Sequence, residues 1–206
     1  MRKPVFPYFS VALMMGVGLS ILGPSVSHLE DKLDVSKSVI SVLFAVGSVS
    51  NFLGAVVSGR VMGRLGGHVS LRIGLAGIGL GILLLCLGPS LVVVAIGMAL
   101  SGSFAALCDT GMNTLTVWAR AGEAGPALNA LHLSFGVGAF LAPLAVDRAL
   151  VWTDNLWPAA LFVLLLLAAS LLLIGTREEP AHPHADSVAD RPHIPRSVVL
   201  IVALFF

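Results

Sequence analysis

Six long apolar runs dominate the sequence and constrain its fold more than any other feature. They cover residues 5–26, 39–61, 71–87, 91–118, 127–146 and 156–174. A helix needs roughly 20 apolar residues to cross a hydrocarbon core of about 30 Å. Because backbone polar groups inside lipid must bond within their own segment, each run is expected to be a helix. The chain is therefore predicted to be an all-α, polytopic membrane protein built as a six-helix bundle.

Composition agrees with this class and argues against others. The chain is 57% hydrophobic and 11% charged, whereas about a quarter of the residues in a soluble domain are charged. No basic patch offers a surface to nucleic acid. Cys86 and Cys108 lie inside apolar runs and are interpreted as packing residues. The spans show no metal-ligand spacing and no nucleophile paired with a base, so neither an enzyme nor a bound cofactor is expected.

The remainder of the chain divides into a linker and a short apolar end. Residues 1–175 form the predicted bundle, and residues 176–196 are rich in Pro, His and charge, as a solvated linker is. The linker histidines His182, His184 and His193 lack the spacing of a metal site. At 1.5 Å per residue, residues 197–206 reach only about 15 Å, too short to span. They are interpreted as a truncated seventh span, and the chain as a fragment of a longer, twelve-span protein.

The basic residues predict how the bundle is oriented. With a cytoplasmic N-terminus, nine Lys or Arg residues fall inside and three outside, which is a positive-inside bias. The inner set is Arg2, Lys3, Arg60, Arg64, Arg72, Arg120, Arg177, Arg191 and Arg196, and the outer set is Lys32, Lys37 and Arg148. The predicted location is a plasma (inner) membrane, crossed several times.

Polar residues are distributed unequally among the spans. The third and sixth runs are aliphatic or Gly-rich and are expected to face lipid, whereas the first, second, fourth and fifth carry polar positions. Gly23 and Pro24 are expected to break or kink the first span, and Pro143 to kink the fifth. Leu43-Phe44-x-x-Gly47 in the second run is echoed by Ser134-Phe135-x-x-Gly138 in the fifth. Such an echo is what a three-plus-three repeat would produce.

Asp109 is the most informative single residue, because it is a carboxylate inside the fourth apolar run. Burying a charge in hydrocarbon costs a few kcal/mol or more, so such residues usually face a polar cavity. His132 in the fifth run lies at a matching depth, and a carboxylate beside an imidazole can exchange a proton near neutral pH. The alternative is that each is a separately satisfied residue that holds helices together.

Three amides lie at or near membrane depth: Asn113, Asn129 and Asn51. An amide can donate and accept hydrogen bonds at once, which suits the hydroxyl groups of a ligand. Asn113 is one helical turn from Asp109, which favours a binding role. For Asn129 and Asn51, helix-to-helix bonding is an equal alternative.

Two segments carry a family resemblance. Gly59, Arg64 and Gly66 match the signature loop between the second and third spans of the major facilitator superfamily, although Gly63 stands where that family has an acid. Residues 109–113 and 129–143 resemble the fourth and fifth spans of the fucose-permease and sodium-dependent glucose transporter branch. This chain and that branch share an acid followed four positions later by Asn, and a Leu-His-x-x-Phe-Gly-x-Gly-Ala run. The first run lacks the acid that usually accompanies this pair.

The resemblance implies a secondary active transporter that moves a small solute, here a sugar, by alternating access. Asp109, Asn113 and His132 would bind the substrate or a coupling proton or sodium ion, and a missing C-terminal half would complete the site within the lipid bilayer. Two alternatives remain open from the sequence. One is a multidrug or other exporter of the same architecture, and the other is a non-transporting membrane scaffold or sensor.

Overall fold

The computed structural model describes residues 5–120 and 122–181, and these residues form seven α-helices. The helices are α1 (Phe6–Ser20), α2 (Leu22–Leu33), α3 (Lys37–Leu65), α4 (Gly67–Leu87), α5 (Leu91–Ala119), α6 (Ala124–Thr153) and α7 (Trp157–Gly175). Helices α1 and α2 together form one span, so six helices are long and apolar enough to cross a membrane. The prediction of an all-α, six-span bundle is confirmed.

The first span is interrupted close to its Gly-Pro pair. Helix α1 ends at Ser20 and α2 begins at Leu22, which places Pro24 in the first turn of α2. Proline has no backbone N–H and therefore cannot donate to the carbonyl one turn earlier. In α6, by contrast, the helix continues on both sides of Pro143.

The helices extend further than the apolar runs predict. Helix α2 continues through Glu30 and Lys32, α3 continues to Leu65, and α4 begins at Gly67. The predicted loop at residues 59–68 is therefore mostly helical, and Gly66 alone joins α3 to α4. The predicted boundaries were wrong because they were placed at the first charges, whereas helical hydrogen bonding continues into the aqueous layer.

The packing repeats after three spans. Helix α5, the fourth span, packs mainly on α3 and α4, while α1 in the first span packs mainly on α6 and α7. The fourth span thus packs on the second and third, and the first span packs on the fifth and sixth. The first set of partners becomes the second when three is added to each span number. This is the arrangement expected of a three-plus-three repeat.

Glycines make both of the matching crossings possible. A Cβ atom at Gly102 of α5 would collide with the Gly47 carbonyl of α3, and one at Gly138 of α6 would collide with the Leu13 carbonyl of α1. Gly47 and Gly138 are the two glycines of the sequence echo. Close backbone approach at small residues is the usual means of packing helices in a membrane.

The expectation that the third span faces lipid is wrong. A larger share of α4 is buried inside the bundle than of any other described span. The ring of Phe104 lies against Gly77, and the hydroxyl of Ser101 lies against Gly81, both across the contact with α5. These glycines add no polar side chain to the third apolar run, and they are what allow α5 to approach α4 closely.

Candidate functional site

Asp109 lies on the surface of the bundle. The sequence predicts a buried carboxylate, but the residue is exposed on α5, so that prediction is wrong for this chain. It is nevertheless inside a span, in the second half of α5. Because a carboxylate is costly to place against acyl chains, this face of the bundle must meet water or a polar partner in the membrane.

Asn113 and His132 accompany this carboxylate. The Nδ2 atom of Asn113 donates to the Asp109 carbonyl oxygen at 2.9 Å and to Asp109 Oδ1 at 3.0 Å. The imidazole of His132 on α6 lies close enough to interact electrostatically with the Asp109 carboxylate. The structure thus brings together the acid, the amide and the imidazole, which we call the polar cluster.

The other two amides have different surroundings. Asn129 is exposed on α6, one turn before His132. Asn51 is on α3, and its Nδ2 atom donates to the Gly102 carbonyl of α5 at 3.1 Å. Because Gly102 is seven residues before Asp109, Asn51 is about 10 Å along α5 from the polar cluster. Asn51 joins two helices and is not part of the cluster.

A cavity of about 810 Å³ ends about one helical turn from the polar cluster. It lies among α1, α2, α3, α4 and α5, and we call it the apolar cavity because carbon dominates its wall. The lining residues are Gly18, Leu19, Leu22, Phe44, Gly47, Ser48, Asn51, Phe52, Ala55, Val56, Ile82, Leu85, Met98, Ser101, Gly102 and Ala105. Asp109 is not among them, but Ala105 precedes it by one helical turn. The cavity therefore reaches to within about 6 Å of the acid along α5.

The three residues that match the signature loop, Gly59, Arg64 and Gly66, lie in the last turns of α3 and in the α3–α4 connection. Gly59 lies inside α3 with open space around it, and Arg64 is exposed near the end of that helix. Gly66 has φ 84° and ψ 163°, a conformation almost restricted to glycine. A glycine is therefore required at this position by backbone geometry.

Glu179 supplies an acid to this connection from the segment that follows α7. Its Oε1 atom accepts a hydrogen bond from the Gly67 backbone N–H at 2.7 Å, and its Oε2 atom accepts one from the His68 N–H at 2.9 Å. These amides begin α4 and have no acceptor inside their own helix. The negative charge also interacts favourably with the helix dipole. Sequence reasoning missed this contact because 112 residues separate its partners.

Two further contacts join the same end of the bundle. Tyr8 Oη and His68 Nε2 are hydrogen-bonded at 3.0 Å, linking α1 to α4. The Arg177 guanidinium carbon lies 5.6 Å from the centre of the Phe6 ring. Residues 176–181, the start of the predicted linker, therefore lie against the bundle. The rest of that linker, with His182, His184, His193, Arg191 and Arg196, and the predicted seventh span at 197–206 lie outside the described residues, as do Arg2 and Lys3.

Within the described part of the chain, no three His, Cys, Asp or Glu residues are close enough together to hold a metal ion. The polar cluster has one carboxylate, one amide and one imidazole, and it offers both hydrogen-bond donors and acceptors. Such a set suits hydroxyl groups or a weakly held cation.

This chain belongs to the Major Facilitator Superfamily, whose sequence profile matches residues 8–206. The family indicated by the loop and by the fourth and fifth spans is thereby confirmed. Among individual proteins, the chain is similar to Sodium-dependent glucose transporter 1A of Mus musculus, with 30% identity over 142 residues, which are 68% of this chain and 33% of that protein.

Two more relatives carry the same kind of name. Sodium-dependent glucose transporter 1 of Homo sapiens is 29% identical over 141 residues, covering 68% of this chain and 27% of the relative. The Rattus norvegicus protein of that name is 33% identical over 141 residues, covering 66% and 28%. The matched stretch thus covers about a third or less of each relative.

Proposed function

We propose that this chain is the N-terminal half of a sugar transporter that works by alternating access. Its family and the names of its relatives support a carrier of sugars. The relatives are much longer than the matched stretch, so a second bundle would complete the site. The apposed bundles would rock around a solute held between them.

The exposed polar cluster is the single observation that carries this proposal. Asp109 and Asn113 lie on the same face of α5, and His132 of α6 lies near Asp109. A membrane-embedded face of this polarity is compatible with a solute path and unfavourable against lipid. The Asp109 carboxylate would accept hydrogen bonds from sugar hydroxyls or bind a coupling cation, and the Asn113 amide and His132 would orient the sugar.

The relatives' names favour sodium as the coupling ion over a proton. A carboxylate oxygen is a suitable ligand for sodium, and the first apolar run, residues 5–26, has no acid to share the charge. Asp109 is therefore the proposed site of coupling. Sodium-dependent binding of glucose, absent when potassium replaces sodium, is the expected behaviour.

The test is equilibrium binding of radiolabelled glucose, in lipid nanodiscs, to the purified full-length carrier in which this chain is joined to the proposed second bundle. Asp109→Asn should weaken binding at least tenfold, since a hydrogen bond to a charged group contributes about 1.5–3 kcal/mol. Asp147→Asn, which removes an exposed acid elsewhere on α6, is the matched control. Unchanged binding in Asp109→Asn would refute the role assigned to Asp109, and no saturable glucose binding by the unmodified protein would favour a scaffold or sensor. Saturable glucose uptake by residues 1–206 alone in liposomes would refute the half-site proposal.

One observation favours a second candidate, an exporter of lipophilic cations. The apolar cavity is large, and a single acid lies about one turn beyond it. Tight binding of a lipophilic cation that depends on Asp109, with no binding of hexoses, would support the exporter.

The chain is proposed to lie in the plasma (inner) membrane, with its N-terminus in the cytoplasm. Ser38 and Arg64 are exposed at opposite ends of α3, and the native thiols Cys86 and Cys108 are buried. A membrane-impermeant thiol reagent added outside cells should label Ser38→Cys and leave Arg64→Cys unlabelled. The reverse pattern would invert the topology.

A further inference from the structure

We propose that the apolar cavity is a subsite for the alkyl or aryl group of an amphipathic glycoside whose sugar ring binds at the polar cluster. This inference rests on the proposed function and adds a substrate class to it. The relatives are named for glucose, a free sugar. The cavity one helical turn from Asp109 has room for an additional apolar group.

The two parts of the site are adjacent on one helix. Ala105 lines the cavity and Asp109 belongs to the polar cluster. Residues four apart on a helix have neighbouring side chains about 5–6 Å apart. In this binding mode the glycosidic bond would join a ring at Asp109 to a group beyond Ala105. The cavity extends from there along α5 to Met98.

The cavity wall is unsuited to sugar hydroxyls. Ser48 Oγ donates to the Phe44 carbonyl within its own helix, and Asn51 Nδ2 donates to the Gly102 carbonyl. These two donors are thus engaged within α3 and in its contact with α5, and Ser101 Oγ, which has no hydrogen-bond partner among the described residues, is the other side-chain hydroxyl among the lining residues. A hexose moved into the cavity would exchange most of its hydrogen bonds with water for contacts with carbon, which is unfavourable.

The same wall is well suited to an apolar group. Phe44 and Phe52 are 46% and 53% exposed on α3, and both line the cavity. Met98 adds a flexible thioether, a side chain that adapts to irregular ligands. A volume of about 810 Å³ lies in the range of roughly 300–1,000 Å³ that binds drug-sized molecules. A free hexose would leave most of it empty.

The polar cluster favours a glycoside over a lipophilic cation as the occupant. Asp109 is already near the imidazole of His132 and accepts from the Asn113 amide. This mixture of donors and acceptors matches hydroxyl groups, which also donate and accept. A cation would meet the donors of Asn113 and His132 as well as the carboxylate.

A chain-length series tests the inference. Binding of radiolabelled methyl, butyl and hexyl β-D-glucoside to the purified full-length carrier in nanodiscs is measured below micellar concentrations, and uptake by empty nanodiscs is subtracted. Affinity should rise about fourfold for each methylene group as it enters the cavity. A flat series with measurable methyl glucoside binding would overturn the inference and leave the proposed function intact. Loss of binding throughout the series would overturn both.

Two neighbouring residues provide a matched pair of variants. Val56 and Val57 are 56% and 50% exposed on α3, but only Val56 is among the residues that line the cavity. Val56→Trp should flatten the chain-length dependence, and Val57→Trp should preserve it. Equal effects of the two variants would show that the alkyl chain binds elsewhere. Hexyltrimethylammonium binding more tightly than hexyl glucoside, and losing that advantage in Asp109→Asn, would replace the glycoside by a cation.

Discussion

The carboxylate of Glu179 is hydrogen-bonded to the backbone N–H of Gly67 at 2.7 Å, so the segment after α7 holds the beginning of α4. Its other oxygen accepts from the next backbone amide, that of His68. In this chain Gly63 stands where the family signature has an acid. Glu179 therefore places a negative charge at the α3–α4 connection from a distant part of the sequence.

Removing this carboxylate should destabilise the bundle. Glu179→Ala leaves two amides of the first turn of α4 without their charged acceptor, and the free energy of unfolding should fall by about 1–2 kcal/mol. Thermal unfolding of the purified chain in micelles measures the change. Asp147→Ala removes an exposed acid on α6 and should have a much smaller effect. Equal unfolding temperatures for the two variants would show that the contact with α4 contributes little.

Gly66 and Gly63 should respond oppositely to the same substitution. Gly66→Ala forces a Cβ into φ 84°, ψ 163° and should cost about 1–3 kcal/mol of stability. Gly63 lies inside α3 with open space around it, so Gly63→Ala should gain up to about 1 kcal/mol from helix propensity. Chemical denaturation of each variant provides the comparison. A loss at Gly63 matching that at Gly66 would contradict the backbone explanation.

The crossing of α1 and α6 should be sensitive to a single methyl group. A Cβ at Gly138 would lie 3.0 Å from the Val17 nitrogen and closer still to the Leu13 carbonyl oxygen. Gly138→Ala should therefore cost about 1–3 kcal/mol through overpacking. Gly136, on the same helix, has nothing within 4 Å of that position, so Gly136→Ala is the control. If unfolding shows equal stability for both, the two helices separate at little cost.

Asn51 and Asn113 should separate stability from binding. Asn51→Leu removes a hydrogen bond between α3 and α5 and should lower stability by about 0.6–1 kcal/mol. The bonds of Asn113 to Asp109 lie within one helix, so Asn113→Leu should change stability less and weaken glucose binding more. Unfolding and equilibrium binding are measured on the same preparations. A reversed pattern would place the sugar at Asn51.

Local contacts of the candidate site were predictable. Asp109 and Asn113 are four residues apart, and helical periodicity alone brings such side chains together. His132 was expected near Asp109 because both lie at matching depth in neighbouring spans of opposite direction. The glycine echo at Gly47 and Gly138 was visible as a pattern, but its meaning required the crossing helices to be seen.

Other features depended on contacts that no local pattern records. The burial of α4 follows from Gly77 and Gly81 packing on α5. It was not predictable, because a Gly-rich apolar run has the same sequence pattern whether it faces lipid or protein. The exposure of Asp109 depends on which side of α5 is covered by α3 and α4. The joining of Asn51 to Gly102 likewise exists only after α3 and α5 have packed.

The amino-acid sequence by itself determined the six spans and the residues that carry charge into them, because lipid admits only internally bonded helices and penalises every polar side chain. Only the tertiary structure decided that Asp109 faces outward beside a cavity, and that Glu179 completes the first turn of α4. Hydrophobicity and helical period act between near neighbours along the chain. The partners of a helix face, and the acceptor for a distant helix terminus, are selected by close packing among segments far apart in sequence.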